Sequence, residues 1–260
     1  MGKVEMDVAA KEGKYIYCVI DSNQPQSFGP LGIGGRGDDL HTVCFDGISA
    51  VVSDAPIKKY RVSRENSLAH EKAIEKVMAE YTALPVRFAT VAEDQEKVKR
   101  ILEKEHDRFK NLLDSVKNKT ELGLKAMFKE EVIYNNILEK YEDIRLLKEK
   151  IATVAPEKSH YQRMEIGGMV EEALQRERQI VKDDIINTFS PLAAEVKTND
   201  IYGELMIVNA AFFVEKEKET DFDQQVQQLG DKYSEKVTFK YVGPLPPFNF
   251  VNIMINTEDY

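Results

Sequence analysis

Residues 204–214 (ELMIVNAAFFV), 221–233 (DFDQQVQQLGDKY) and 236–242 (KVTFKYV) decide the fold. The first is an apolar run rich in branched and aromatic side chains and reads as a strand. The second sets Phe222, Val226, Leu229 and Tyr233 three or four apart, the cleanest helical stripe in the chain. The third returns to strand-type composition. Upstream, residues 191–197 (PLAAEVK) read as a strand that turns at Asn199-Asp200, and 120–129 (TELGLKAMFK) alternates as another. Two helical stretches, 131–150 and 157–188, lie between them and are separated by Pro156. The order is β, helical pair, β, β, α, β, that of a ferredoxin-like βαββαβ sheet with an enlarged helical first crossover. At about 1.5 Å per residue the second helix is roughly 45–50 Å long, and Gly167-Gly168 predicts a bend or break inside it.

Beyond the last strand stands Gly243-Pro244-Leu245-Pro246-Pro247-Phe248-Asn249-Phe250-Val251. Proline fixes φ and has no amide proton, so 243–247 is expected to leave the sheet ladder as a rigid, extended corner. That corner sets where Phe248 and Phe250 point, and 250–255 is a candidate further strand.

Toward the N-terminus, residues 14–20 (KYIYCVI) read as a buried strand, and 21–39, with Pro25, Pro30 and five glycines, as a long loop. Residues 40–45 and 48–53 form two strands around Asp46-Gly47, a strong hairpin signal. A helix follows Ser63, with Ile74, Val77, Met78 and Tyr81 on one stripe. Then come a short strand, 84–91 (LPVRFATV), and a helix striped by Val98, Ile101, Leu102, Phe109, Leu112, Leu113 and Val116. The fold class is therefore α+β in two domains. A loose tail (1–13) precedes a βββαβα module (14–116), and a ferredoxin-like domain (117–260) carries the helical insertion and the Pro-rich corner.

A length of 260 residues, 42% hydrophobic and 31% charged, suits one large or two ordinary globular domains. No apolar run reaches the ~18 residues of a membrane span, and no secretory leader pattern opens the chain; the expected location is cytoplasmic. A formal charge of −9 argues against nucleic-acid binding, the basic run Lys58-Lys59-Tyr60-Arg61 notwithstanding. Cys18 and Cys44 sit in apolar strand-like runs as reduced small hydrophobes.

Signals for chemistry are weak. Gly32-Ile33-Gly34-Gly35-Arg36-Gly37 matches G-x-G-x-x-G but lies between strands, whereas a dinucleotide fingerprint opens a helix. His70-Glu71 begins a zinc-helix pattern, yet position 74 is Ile where a second histidine would stand. No G-x-S-x-G elbow is present. Neither catalytic residues nor a cofactor, metal or small-molecule substrate is expected. Arg87 stands apart: a cation in an apolar strand either pairs with the helix over 65–80 or serves binding.

Seven stretches in order resemble the gas vesicle protein F/L family: residues 15–19 (YIYCV), 46–53 (DGISAVVS), 64–71 (RENSLAHE), 84–91, 121–125 (ELGLK), 163–167 (RMEIG) and the corner 243–251. The family's corner usually carries Trp where this chain has Leu245, and Tyr and Ser in place of Phe248 and Asn249. The resemblance implies two α+β domains, one ferredoxin-like, and a non-enzymatic accessory or minor component of gas vesicles. The expected partners are the small hydrophobic gas vesicle wall protein and other gas vesicle accessory proteins, with no lipid membrane involved. Leu245, Phe248, Phe250 and Arg87 are the candidate partner contacts. The alternative is an enzyme or small-molecule sensor using the ferredoxin-like sheet or the glycine-rich loop.

Overall fold

The computed structural model describes residues 11–155 and 158–260. Residues 1–10 of the expected N-terminal tail, and Pro156 with Glu157, lie outside the described residues. The chain forms two compact units. One comprises the described residues up to Glu121 together with Pro244–Tyr260, and the other is Leu122–Gly243. The boundary expected from sequence was 116/117, with 244–260 kept in the second domain. In the structure those closing residues pack with the first unit instead.

In the first unit, β1 (Glu12–Ile20), β2 (Ser27–Gly29), β3 (Leu40–Phe45), β4 (Ile48–Pro56) and β5 (Ala83–Pro85) form a sheet in the order β2-β3-β4-β1-β5, with β6 (Val91–Ala92) also pairing β1. The inner strand β1 is buried on both faces from Tyr15 to Ile20, which explains its unbroken apolar sequence. A register shift between Ile16 and Cys18 places Tyr17 in a bulge. The β3–β4 turn is Asp46-Gly47, both at positive φ (35° and 86°), as the hairpin reading requires. Helix α1 (Arg64–Met78) starts at Ser63, whose hydroxyl accepts the Asn66 N–H at 3.2 Å, and buries Ala73, Ile74 and Val77 against Tyr15 and Tyr17.

Three local expectations change here. The stretch 84–91 is not one strand: β5 ends at Pro85, and Ala89 at φ 67° makes a loop before β6. The helix over 98–116 divides at Glu105 into α2 (Gln95–Lys104) and α3 (His106–Val116). There, Nε2 of His106 donates to the Asp46 carbonyl at 2.8 Å and ties the second helix to the hairpin turn. The region 250–255 is not a strand but a single bridge, Ile253 to Val86.

In the second unit, β7 (Lys119–Phe128) leads into α4 (Glu130–Lys140), α5 (Glu142–Ala152) and α6 (His160–Phe189), followed by β8 (Ala193–Thr198), β9 (Met206–Glu215), α7 (Glu219–Lys232) and β10 (Val237–Leu245). The sheet order β10-β7-β9-β8 is the 4-1-3-2 arrangement of a ferredoxin-like fold. Its core joins Leu122 and Leu124 to Val181, Ile185, Phe212 and Phe222. The Phe189 and Phe222 rings lie 4.5 Å apart at its centre. The expected helix over 131–150 breaks at Tyr141, whose hydroxyl donates to the buried Glu177 carboxylate of α6 beside Lys140, 2.5 Å away. Conversely, α6 runs through Gly167-Gly168 without interruption. Glycine keeps its amide donor, so it weakens a helix by about 1 kcal/mol relative to alanine without breaking the ladder.

The closing corner also differs from expectation. β10 continues through Gly243 and Pro244 to Leu245. It is an edge strand, and an edge tolerates a residue with no N–H to give. The chain then turns tightly instead of staying extended: the Pro247 carbonyl accepts from Phe250 N–H at 3.0 Å and Val251 N–H at 2.8 Å.

Candidate functional site

The sequence elements YIYCV, RENSLAHE and LPVRFATV converge on one buried polar network. His70, on the inner face of α1, is 3% exposed. Its Nε2 lies 3.1 Å from the Val86 carbonyl, which can only accept, so Nε2 carries the proton. Nδ1 is then the acceptor for the Tyr15 hydroxyl at 3.2 Å, and the Tyr15 oxygen in turn accepts the Ala89 N–H at 2.9 Å. The loop 86–90 is therefore clamped from β1 and α1 together. Val86 N–H donates to the Tyr17 carbonyl, the Thr90 carbonyl accepts Ile16 N–H, and the Thr90 hydroxyl closes on the Arg87 carbonyl at 2.7 Å. This network holds Ala89 at a φ few side-chain-bearing residues adopt.

Burial sets the electrostatics. It lowers the His70 pKa to about 4, against a smaller opposing effect of the Val86 carbonyl. It raises the Tyr15 phenol far above its ordinary range and pushes Tyr17 up to about 12. Both His70 nitrogens are committed and the ring is neutral, so the zinc-ligand reading of His70-Glu71 fails on a positive ground: neither nitrogen has a free lone pair. Among the described residues no group of three His, Cys, Asp or Glu side chains is placed to hold a metal.

Over this network lies a cavity of about 340 Å³. Ser67, His70, Glu71, Arg87, Phe88 and Phe248 are among the residues of its wall, with Asn252. The Phe248 ring sits 6.1 Å from that of His70 and remains 42% exposed. Arg87 is exposed, and its guanidinium reaches the Met254 sulfur at 3.4 Å. Among the described residues it forms no ion pair, so the expected pairing with the 65–80 helix is not made: the loop after β5 turns Arg87 outward. Burial and the neighbouring Glu75 raise the Glu71 pKa.

Of the four residues singled out from sequence, the cavity brings together Arg87 and Phe248, while Leu245 and Phe250 are half-buried outside its lining. Two structural elements of this region escaped sequence reading. One is the structural role of His70, whose spacing suggested only a broken metal motif. The other is Glu121, buried at 3%, which accepts from both Asn249 main-chain N–H and Asn249 Nδ2; a lone acid in a strand gives no local sign of that partner. The glycine-rich loop connects β2 to β3, with Gly34, Gly35 and Gly37 at positive φ, and opens no α-helix onto which a pyrophosphate could dock.

Comparison with known proteins places this architecture. The sequence profile described as gas vesicle synthesis protein GvpL/GvpF matches residues 13–252. Gas vesicle protein F of Nostoc sp. is 26% identical over 93% of this chain and 98% of its own length. Gas vesicle protein F1 of Halobacterium salinarum is 22% identical over 95% and 96%. The crystal structure of the gas vesicle protein GvpF from Anabaena sp. superimposes with a TM-score of 0.79 at 26% identity, covering 94% of this chain and 100% of that one. The crystal structure of GvpF from Microcystis aeruginosa gives 0.72 at 25% identity, over 92% and 98%. A match over nearly the whole chain, with both folded units included, makes this chain a member of the gas vesicle GvpL/GvpF family, involved in gas vesicle formation.

Proposed function

We propose that the chain is a non-enzymatic binding component of gas vesicle formation, either an assembly factor or a minor structural constituent. In this reading it holds the small hydrophobic wall protein, with other gas vesicle proteins as further partners. The observation that carries it is the half-exposed Phe248 ring at the cavity beside Arg87, which forms no ion pair among the described residues. An aromatic face open to water next to a concave apolar wall is a docking feature rather than a core one. Removing a few hundred Å² of such surface from water contributes several kcal/mol at about 25 cal/mol per Å², before the cost of ordering. Phe248 and Arg87 supply the central contact, and Leu245 and Phe250 support the turn that aims Phe248.

Phe248→Ala tests this directly. The variant should keep its thermal unfolding profile while losing co-precipitation with the wall protein. Retained co-precipitation by the folded variant rejects the contact, and loss of folding would show that Phe248 serves the core instead. No helix among the described residues is long and apolar enough to cross a membrane.

A further inference from the structure

Two adjacent glycines sit inside the unbroken helix α6, where each weakens the helix relative to alanine. Packing within the unit requires neither: a Cβ built at Gly167 or Gly168 meets nothing within 4 Å, and both have ordinary helical backbone. Gly167 instead presents bare helix backbone to a cavity of about 370 Å³ formed by α6, Tyr134 of α4 and the turn that joins β8 to β9. On α6, Tyr161, Met164, Gly167, Glu171, Leu174 and Arg178 recur three or four residues apart and so share one face. At about 1.5 Å per residue that face runs for roughly 25 Å. Its first half is apolar and open to water, with Tyr161 84% and Met164 63% exposed. On the turn, Ile201 and Tyr202 are exposed as well, just before the lining residues Gly203 and Glu204.

Charge decides what fits. Glu171 and Glu204 line the cavity, and neither forms an ion pair among the described residues. Arg178, the cation of the lining, gives a guanidinium N–H to the main-chain carbonyl of Glu204 and not to either carboxylate. The field acts on Tyr134, whose phenol is raised above its ordinary value by burial and then by Glu204 and Glu130. We propose that this groove docks an amphipathic helix of a partner protein, with apolar residues along Tyr161, Met164 and Gly167 and a Lys or Arg side chain entering the cavity toward Glu171 and Glu204. Such side chains have long apolar stems, which suit Val170 and Leu174 on the way to the carboxylates. Helices seat in grooves of this kind through anchors three and four residues apart, and glycine in the receiving helix permits close approach of the backbones. The chain's own formal charge of −9 disfavours a second copy as occupant and favours a basic partner. The contact uses residues of the second unit alone, so it stands or falls separately from the one at Phe248 and Arg87.

Two labelled synthetic peptides of about 18 residues, the length of the α6 face, test this on the full-length chain by fluorescence anisotropy. Both are amphipathic helices with leucine on one side; the other side is lysine in one peptide and glutamate in the second. The lysine peptide should bind roughly tenfold more tightly or better. Gly167→Leu fills the groove from a position with room for a side chain, and should weaken that binding roughly tenfold while the melting temperature holds or rises. Glu171→Gln combined with Glu204→Gln should weaken it similarly and reduce its salt dependence, and this pair carries the test should the leucine disturb α6. Glu80→Gln combined with Glu103→Gln, exposed acids of the first unit, should leave it unchanged. No binding of the lysine peptide, equal binding of the glutamate peptide, or full affinity in the folded groove variants overturns the proposal. An equal loss from the pair at 80 and 103 also overturns it, because binding then follows the overall charge of the chain.

Discussion

The carboxylate of Glu121 accepts from Asn249, a residue 128 positions further along the chain, through both its main-chain N–H (2.9 Å) and its side-chain amide (2.5 Å). Glu121 stands in β7 and is buried, so this bidentate bond fixes where the chain resumes after the turn at Pro247. Charge-assisted bonds of this kind are roughly twice as strong as neutral ones. They also bring 249–260 to the β5 edge.

Glu121→Gln should therefore loosen the segment. The new amide presents a donor to one of the Asn249 donors, at a cost of about 1–3 kcal/mol. Limited proteolysis is the sensitive readout: cleavage within 249–260 should accelerate while far-ultraviolet circular dichroism stays unchanged. Unchanged cleavage would assign the fixing of the segment to Ile253 and Tyr260 instead.

Tyr15→Phe removes one oxygen and leaves two groups without partners, the buried Nδ1 of His70 and the half-buried N–H of Ala89. Each such loss costs about 1–3 kcal/mol, so roughly 2–6 kcal/mol is expected as a lower denaturant midpoint with unchanged slope. The phenyl ring keeps its packing, which isolates the hydrogen bonds from the cavity effect that an alanine would add.

The sequence was legible where one element carries its own period. The stripe of α7, the apolar runs of β9 and β1 and the Asp46-Gly47 turn are decided by neighbours within a few residues, and the structure places all of them as read. It was illegible where a distant group decides. Residues 84–91 have strand composition, yet the Tyr15 hydroxyl, 74 positions away from Ala89, stabilises a loop there. The helix breaks at Glu105 and Tyr141 contain neither glycine nor proline, and each broken junction is held by a tertiary bond, Tyr260 to Glu105 and Tyr141 to Glu177. The candidate site shows the same division: Arg87 stood out as a cation in an apolar run, whereas the role of His70 depended on partners from two other elements.

The pH dependence follows from His70. Its pKa is about 4 when folded, against 6.5 for the free side chain, because burial disfavours the imidazolium. Between those values the unfolded chain binds the extra proton, so stability is fully present above about pH 6.5 and falls as pH drops toward 4. At about 1.4 kcal/mol per unit the loss from this group totals roughly 3 kcal/mol. Protonation puts a hydrogen on Nδ1, so the Tyr15 hydroxyl can no longer donate there and must turn to accept. Urea melts at steps from pH 7 to pH 4 measure the effect, and His70→Gln should flatten that part of the profile.

Gly168→Ala tests the continuity of α6. A Cβ built at Gly168 meets nothing within 4 Å, and the residue lies inside an unbroken helix from His160 to Phe189. Alanine should then gain about 1 kcal/mol by reducing the freedom of the unfolded chain and adding helix propensity. For a chain of this size that corresponds to a rise in melting temperature of roughly 2–4 °C, provided the two units unfold together. If the units melt separately, the shift belongs to the transition of the second unit alone and is correspondingly larger. A fall would place a kink at 167–168 in solution, because alanine is penalised wherever glycine departs from helical φ and ψ. The direction of one small shift thus decides between the bend expected from the sequence and the continuous helix of the structure.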